Sequence, residues 1–375
     1  MATIPMVNLK AQYLDIKEDI DNAIQEVLNS TQFIKGSAVK EFEKELANHL
    51  GVKHVIACAN GTDALQLALM GLDLNSGDEI ITPAFSYIAC AETIALLGLK
   101  PVLVDVNADD FNIDTSRIES RISPRTKAIM PVHLFGQSCD MDVIMSLAKK
   151  YNLYVIEDNA QSIGSYYSGH QYKSFSGTIA DIGTTSFFPS KNLGCYGDGG
   201  ALFTNNDTLA KRIRQLANHG QSTKYIHPII GINSRLDTIQ AAILKVKLKH
   251  LSNYIRHRQQ SAEHYRNCLK DTPHLILPQV KVYTTHVFHQ YTLRITNGRR
   301  DALKSYLDKQ GISNSIYYPI PIHHQEAYKD LISDKNELET STKLCSEVLS
   351  IPIDSHISRE NIEFVSNHIS TFMNI

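Results

Sequence analysis

The chain has 375 residues, 43% of them hydrophobic, and its 37 basic and 39 acidic side chains leave a net charge of −2. That length allows one large domain and a smaller second one, each with its own core. The balanced charge offers no field that would gather nucleic acid or an anionic membrane, and six cysteines without CxxC or zinc-like spacing read as free thiols of a reducing compartment.

The opening stretch, MATIPMVNLKAQYLDIKEDI, lacks a basic region followed by an apolar one. No segment is apolar for long enough to span a bilayer, so the expected location is the cytoplasm. From about residue 37, helical and strand patterns alternate. Ser37 is placed to cap a helix whose Val39, Phe42, Leu46 and Leu50 share one face. HVIAC (54–58) reads as a buried strand, ANGTDALQLALMGL as a turn and helix, and EIITP as the next strand. SYIACAETIALLG reads as helix, PVLVDV and TKAIMPVHL as strands, and 140–150 as a helix leading into the strand LYVIED. Repeated β-α units of this kind predict a mostly parallel sheet with helices on both faces. Past residue 250 the pattern changes. A long helix near 238–265 gives way to the strand FHQYTLRI and to helices at 300–310 and 359–372. The expectation is a large α/β domain over 1–250 and a smaller C-terminal α+β domain over 251–375.

Ligands of such sheets gather at the carboxyl ends of strands. Gly61 and Thr62, Asp158, and Ser186 through Lys191 all follow predicted strands, so the topology carries them to one edge. A lysine held between SFFPS and a glycine cluster, an acid at a strand end and a helix N-terminus suited to an anion together match what pyridoxal phosphate requires. Its aldehyde bonds a lysine, its ring nitrogen pairs with an acid, and its phosphate takes backbone N–H donors. Of the two carboxylates ending LYVIED, Glu157 alternates to the other face, which leaves Asp158. Gln161 suits the ring's phenolic oxygen, and Tyr87 in PAFSYIA is an aromatic for the ring face. Thr62 as an ordinary helix cap and Tyr87 as a core aromatic are the plainer readings of the same residues.

FIKGSAVKEFEKELA (33–47), ANGTDALQLAL (59–69), EDNAQSIG (157–164), SFFPSKNLGCYGDGGAL (186–202) and INSRLDTIQAAIL (232–244) together resemble the DegT/StrS sugar-nucleotide aminotransferases. The resemblance runs along essentially the whole chain. It implies a pyridoxal-phosphate-dependent transferase of fold type I that passes an amino group, with L-glutamate as expected donor, to a nucleotide-linked keto sugar. It implies Lys191 as the Schiff-base lysine, Asp158 as the partner of the ring nitrogen with Gln161 beside it, and Thr62 and Ser186 as phosphate ligands. Asn233 would join them from the neighbouring subunit of a homodimer, and Arg235 would meet substrate across the same interface. Asn159 departs from the usual EDAAQ pattern, a change expected to alter hydrogen bonding near the acid without removing it. SFFPSKNLGCYGDGGA and YPIPIHHQ resemble enzymes that aminate UDP-linked 3-oxo-N-acetylglucosaminuronate more than those acting on four-keto sugars. Where those uronate enzymes carry His-Tyr-Pro, this chain has Tyr317-Tyr318-Pro319. Tyr317, Tyr318 and His323 are the expected sugar contacts, with packing of a Pro-rich turn as the plainer reading.

Other readings meet specific obstacles. The dehydratase branch of the same fold replaces the lysine with histidine, which Lys191 opposes. A cofactor-sensing transcription regulator needs a DNA-binding module, and no helix-turn-helix signal precedes the domain. GxGxxG and GxxxxGK[ST] are absent, and His323-His324 lacks the further ligands of a metal site, so no metal is expected.

Overall fold

The computed structural model describes residues 3–332 and 337–374. Three helices lead in: α1 (Leu9–Asp15), α2 (Lys17–Ser30) and α3 (Ser37–Leu50). Ser37 is the first residue of α3 and not its cap. The cap position belongs to Gly36, in extended conformation, whose N–H donates to Thr238 Oγ1 at 3.1 Å. The central layer then follows as β1 (His54–Cys58), α4 (Gly61–Gly71), β2 (Glu79–Pro83), α5 (Ala89–Leu96), β3 (Lys100–Val104), β4 (Thr126–Ile129), α6 (Met141–Tyr151) and β5 (Tyr154–Asp158). A small hairpin, β6 (Tyr166–Ser168) and β7 (Lys173–Phe175), precedes β8 (Ile182–Ser186), β9 (Gly200–Thr204) and α7 (Asp207–Leu216).

Seven strands pair in the order β1-β9-β8-β5-β4-β2-β3. The run from β8 to β3 is parallel throughout, and β9 alone runs against both its neighbours. Alternation along each strand feeds two cores, as the pleat requires. Val55, Ala57, Ala201 and Phe203 pack with Phe42 and Leu46 of α3, while Ile56, Cys58 and Leu202 pack with Leu65, Leu69 and Ile213 of α4 and α7. Strands buried on both faces are nearly all apolar, which is why HVIAC and EIITP were legible as strands.

The predicted helix near 238–265 is two helices, α8 (Thr238–Leu248) and α9 (Leu251–Leu269). Shorter-range bonds, Lys249 N–H to Val246 at 3.3 Å and His250 N–H to Lys247 at 3.0 Å, close the first before the second begins. A three-stranded antiparallel sheet follows, with β11 (Tyr291–Ile295) between β10 (Leu275–Ile276) and β12 (Val348–Ile351). Helices α10 (Arg300–Lys309), α11 (Glu339–Glu347) and α12 (Arg359–Met373) surround it. Tyr265, Leu293, Leu303, Leu349 and Val365 form a separate core that also takes in Ile4 from the N-terminal segment.

Candidate active site

At the carboxyl end of the parallel strands lies a cavity of about 470 Å³, lined from β5, β8, the N-terminus of α4 and the segment before β11. That volume suits a cofactor with part of a substrate. Gly61, Thr62, Tyr87, Asp158, Gln161, Ser186, Lys191, Tyr317 and Tyr318 all line it, so the sheet brings together residues up to 257 positions apart in sequence.

The pleat of β5 sends its two terminal carboxylates apart. Glu157 is fully buried and accepts from the N–H groups of Gly177, Ile179 and Ala180, each at 2.8 Å, while His133 Nε2 lies 2.9 Å away. These four partners use up its acceptor sites. Asp158 turns into the cavity, where Oδ1 accepts from Ala160 N–H at 3.0 Å. Burial pushes its carboxyl up, and the Ala160 N–H together with the charges of Lys191 and His133 holds it down.

Lys191 follows β8 in a loop closed by its own N–H to the Phe188 carbonyl, 2.9 Å, and by Cys195 N–H to the Phe187 carbonyl, 2.8 Å. The cavity wall screens the side chain from bulk water, and burial pushes its amine down to about 8 against the pull of Asp158. A neutral fraction is therefore present near neutral pH, as a proton-transferring lysine requires.

Asn60, not Thr62, caps α4: its Oδ1 accepts from Asp63 N–H at 2.8 Å. Among the described residues no hydrogen bond engages the Thr62 hydroxyl, which is left to face the cavity beside Ser186. Two glycines make the approach close enough. A Cβ on Gly61 would lie 2.7 Å from Ser186 Cβ, and one on Gly200 would lie 2.4 Å from the Asn60 carbonyl. Exposed helix N–H groups, two hydroxyls, a carboxylate and a lysine amine around one cavity fit a phosphate-bearing pyridine aldehyde.

Gln161 Oε1 accepts from Phe135 N–H at 2.7 Å, and Nε2 donates to Tyr318 Oη at 3.1 Å. The second amide proton is available to a ligand. Tyr87 is 56% exposed, with its ring 6.1 Å from that of Tyr318. It is therefore not the core aromatic of the plainer reading. Asn159, the departure from the family pattern, turns away from the cavity into a buried site where its Oδ1 accepts from the Ser162 hydroxyl.

Three expected residues lie elsewhere. His323 is fully buried with Nε2 3.1 Å from Thr342 Oγ1, and it is not part of the cavity wall. The 3₁₀ turn at Ile322–His324 carries it inward, so the expected sugar contact at His323 is not borne by this geometry. Asn233 is exposed, and neither it nor Arg235 reaches the cavity of its own chain. Conversely, His289 and Gln290 line the cavity without having been singled out. FHQYTLRI announced only a strand; nothing in its spacing ties residue 289 to residue 191. Among the described residues no group of three or more His, Cys, Asp or Glu side chains is arranged to hold a metal ion. None of the described helices is long and apolar enough to cross a membrane.

Comparison with known proteins agrees with this chemistry. Residues 14–370 match the model of the DegT/DnrJ/EryC1/StrS aminotransferase family. The chain is 45% identical to the UDP-2-acetamido-2-deoxy-3-oxo-D-glucuronate aminotransferase of Pseudomonas aeruginosa, over 96% of this chain and 98% of that protein. It is 42% identical to the UDP-N-acetyl-3-dehydro-alpha-D-glucosamine 3-aminotransferase of Acidithiobacillus ferrooxidans, over 98% and 97% of the two chains. Among solved structures, S. venezuelae DesV in complex with a ketimine intermediate matches all of both chains with a TM-score of 0.96 at 37% identity. The chain belongs to the DegT/DnrJ/EryC1/StrS aminotransferase family.

Proposed function

We propose that this aminotransferase moves the amino group of L-glutamate onto carbon 3 of UDP-linked 3-oxo-N-acetylglucosaminuronate, making a precursor for surface polysaccharide or another glycan. The observation that carries the reading is the Lys191 amine and the Asp158 carboxylate in one cavity beside the glycine-lined start of α4. The choice of a 3-keto sugar is supported by the names of the two relatives above, both enzymes of 3-oxo or 3-dehydro sugars. The cofactor is pyridoxal phosphate, which when bound supplies a ring that takes up the electron pair left as a proton leaves the amino acid's α-carbon.

The protein's own groups do the rest. Thr62, Ser186 and the first N–H groups of α4 would hold the phosphate, and Tyr87 would cover one face of the ring. Lys191 would hold the cofactor covalently until the amino donor displaces it. The freed amine would then take the proton from the donor's α-carbon and hand it on within the first half-reaction, and in the second it would deliver a proton to carbon 3 of the sugar. Asp158, ionised, would keep the ring nitrogen protonated. Asp158→Asn keeps the shape and loses the charge, so turnover should fall by about a thousandfold while cofactor affinity changes far less. Steady-state rates and a cofactor titration check this, and near-normal turnover would assign the ring nitrogen to another acid.

A homodimer with shared sites is part of the same proposal. The segment that ends at Asn233 exposes Tyr225 (81%), Ile226 (60%) and Ile230 (91%), a set of apolar side chains that favours a covering partner. With Asn233 exposed and Arg235 outside its own cavity, both are available to a neighbouring copy. Cytoplasmic residence belongs to the proposal too, since nucleotide sugars and glutamate are met there.

Tyr317 and Tyr318 would contact the sugar from the cavity wall. Tyr317→His should change discrimination among 3-keto sugars by about tenfold and leave the glutamate half-reaction as it was. Single-turnover measurements of each half-reaction separate the two, and an equal loss in both would make Tyr317 a packing residue. The proposed substrate itself is tested by comparing kcat/KM over UDP-linked 3-keto uronate, 3-keto hexosamine and 4-keto sugars. Preference for a 4-keto sugar would overturn the choice of carbon.

A further inference from the structure

The run KVKLKH at the end of α8 looks like solvated charge, and two of its lysines are so: Lys245 pairs with Glu41, and Lys249 is exposed. Lys247 is different. It is 1% exposed, and among the described residues no carboxylate stands within ion-pair distance. Its Nζ donates to the Gly194 carbonyl at 2.6 Å and lies 4.9 Å above the centre of the Tyr196 ring. Burial pushes the amine down to about 8, with the Cys195 thiol as the ionisable group facing it. Burying an ammonium without a counter-ion is costly, so a carbonyl dipole and an aromatic face must serve in its place.

Both belong to the loop that presents Lys191. Gly194 lies three residues beyond it, packed so closely that a Cβ there would sit 2.4 Å from the Pro189 carbonyl. Gln240, two turns earlier on the same face of α8, grips the loop as well. Its Oε1 accepts from Tyr196 N–H at 2.8 Å, and its Nε2 donates to the Tyr196 carbonyl at 3.3 Å. The loop is thus bonded to one helix at two points, and that helix begins just after Asn233 and Arg235.

We propose that Lys247 is a positioning residue for amino transfer: bonded to Gly194 and lying over Tyr196, it fixes the 187–197 loop and with it the Lys191 amine against Asp158. The proposal rests on Lys191 being the cofactor lysine. Placement, and not binding, is what Lys247 controls. A misplaced reactive group costs rate steeply, about tenfold to a hundredfold for shifts near 1 Å.

The test compares Lys247→Met, which removes the charge and the donor, with Lys247→Gln, which restores a donor to the carbonyl. In the cofactor-loaded enzyme, Lys247→Met should lower kcat by about tenfold or more while KM for each substrate stays within about threefold. The pH midpoint of the cofactor's absorbance change should move by about half a unit or more, and Lys247→Gln should bring both readings back toward the native values. A folded, cofactor-loaded Lys247→Met with native kcat and an unmoved midpoint overturns the proposal. If the methionine variant does not fold, Lys247→Gln and Tyr196→Leu decide. Native kcat and midpoint in both overturn it, and loss of kcat with retained KM in Tyr196→Leu supports it. Borohydride fixation followed by peptide mapping on the native enzyme tells the two assignments apart: a modified lysine other than Lys191 overturns the lysine reading and this one with it, whereas Lys191 modified alongside a silent Lys247→Met overturns only this one.

Discussion

Lys191→Ala should give a folded chain that no longer fixes its cofactor on borohydride reduction and has lost turnover by about 10⁴-fold or more, the scale expected when a reactive group is removed. The fold should survive because the side chain lines the cavity and the bonds that close its loop use backbone groups, Lys191 N–H to Phe188 and Cys195 N–H to Phe187. Removing the amine also removes the positive charge that helps hold the Asp158 carboxyl down. Far-UV circular dichroism, borohydride fixation with mass mapping, and single-turnover rates check the three parts separately. Retained fixation together with normal turnover would mean that a different lysine carries the chemistry.

The second large effect is a recovery. Asn233→Asp places a negative charge where the phosphate is proposed to lie, and like charges in a cavity repel strongly, so the variant should bind cofactor poorly and be inactive alone. Lys191→Ala is inactive alone for its own reason. When the two chains are co-expressed and the mixed dimer is isolated, activity should return to about half of the native value per dimer, since active sites are independent in the simplest case. One site then collects both lesions; the other pairs a native Lys191 with a native Asn233. Should Asn233 serve its own chain's site, every site would carry one lesion and nothing would return. Mixed dimers that assemble normally and stay dead would show that the site is not shared between subunits.

Much of this was legible in the sequence because the central strands are buried on both faces and flanked by turn residues. Asn60-Gly61-Thr62, Asp158 and Ser186 each follow such a strand, so topology alone carried them to one edge. Glu157 and Asp158 were separable by the two-residue period of a strand. The rest depended on contacts between distant segments. The 238–265 region read as one helix because no Gly or Pro marks its break. Leu248 and Leu251, on either side of that break, enter the same core as Leu46 and Leu50, a requirement invisible in the local pattern. α1 and α2 were passed over because Ile16, Ile20 and Ile24 make sense as a face only once Ile243 and Val246 of α8 lie against it. His323 was expected as a sugar contact beside the two tyrosines, whereas the turn buries it against Thr342, nearer the plainer reading of a packed turn. His289 and Lys247 carried no motif at all. Their places come from the approach of the β11 segment and of α8 to the lysine loop.

At this cavity nitrogen should leave an amino acid and arrive on a nucleotide sugar. The most direct measurement is a single reaction with nitrogen-15 L-glutamate, the pyridoxal-phosphate-loaded enzyme and UDP-linked 3-oxo-N-acetylglucosaminuronate, followed by mass spectrometry and NMR of the sugar. The expected product carries the labelled amine on carbon 3 and forms in equal amount with 2-oxoglutarate. A sugar that loses water and gains no nitrogen would show a lyase on this fold and contradict amino transfer.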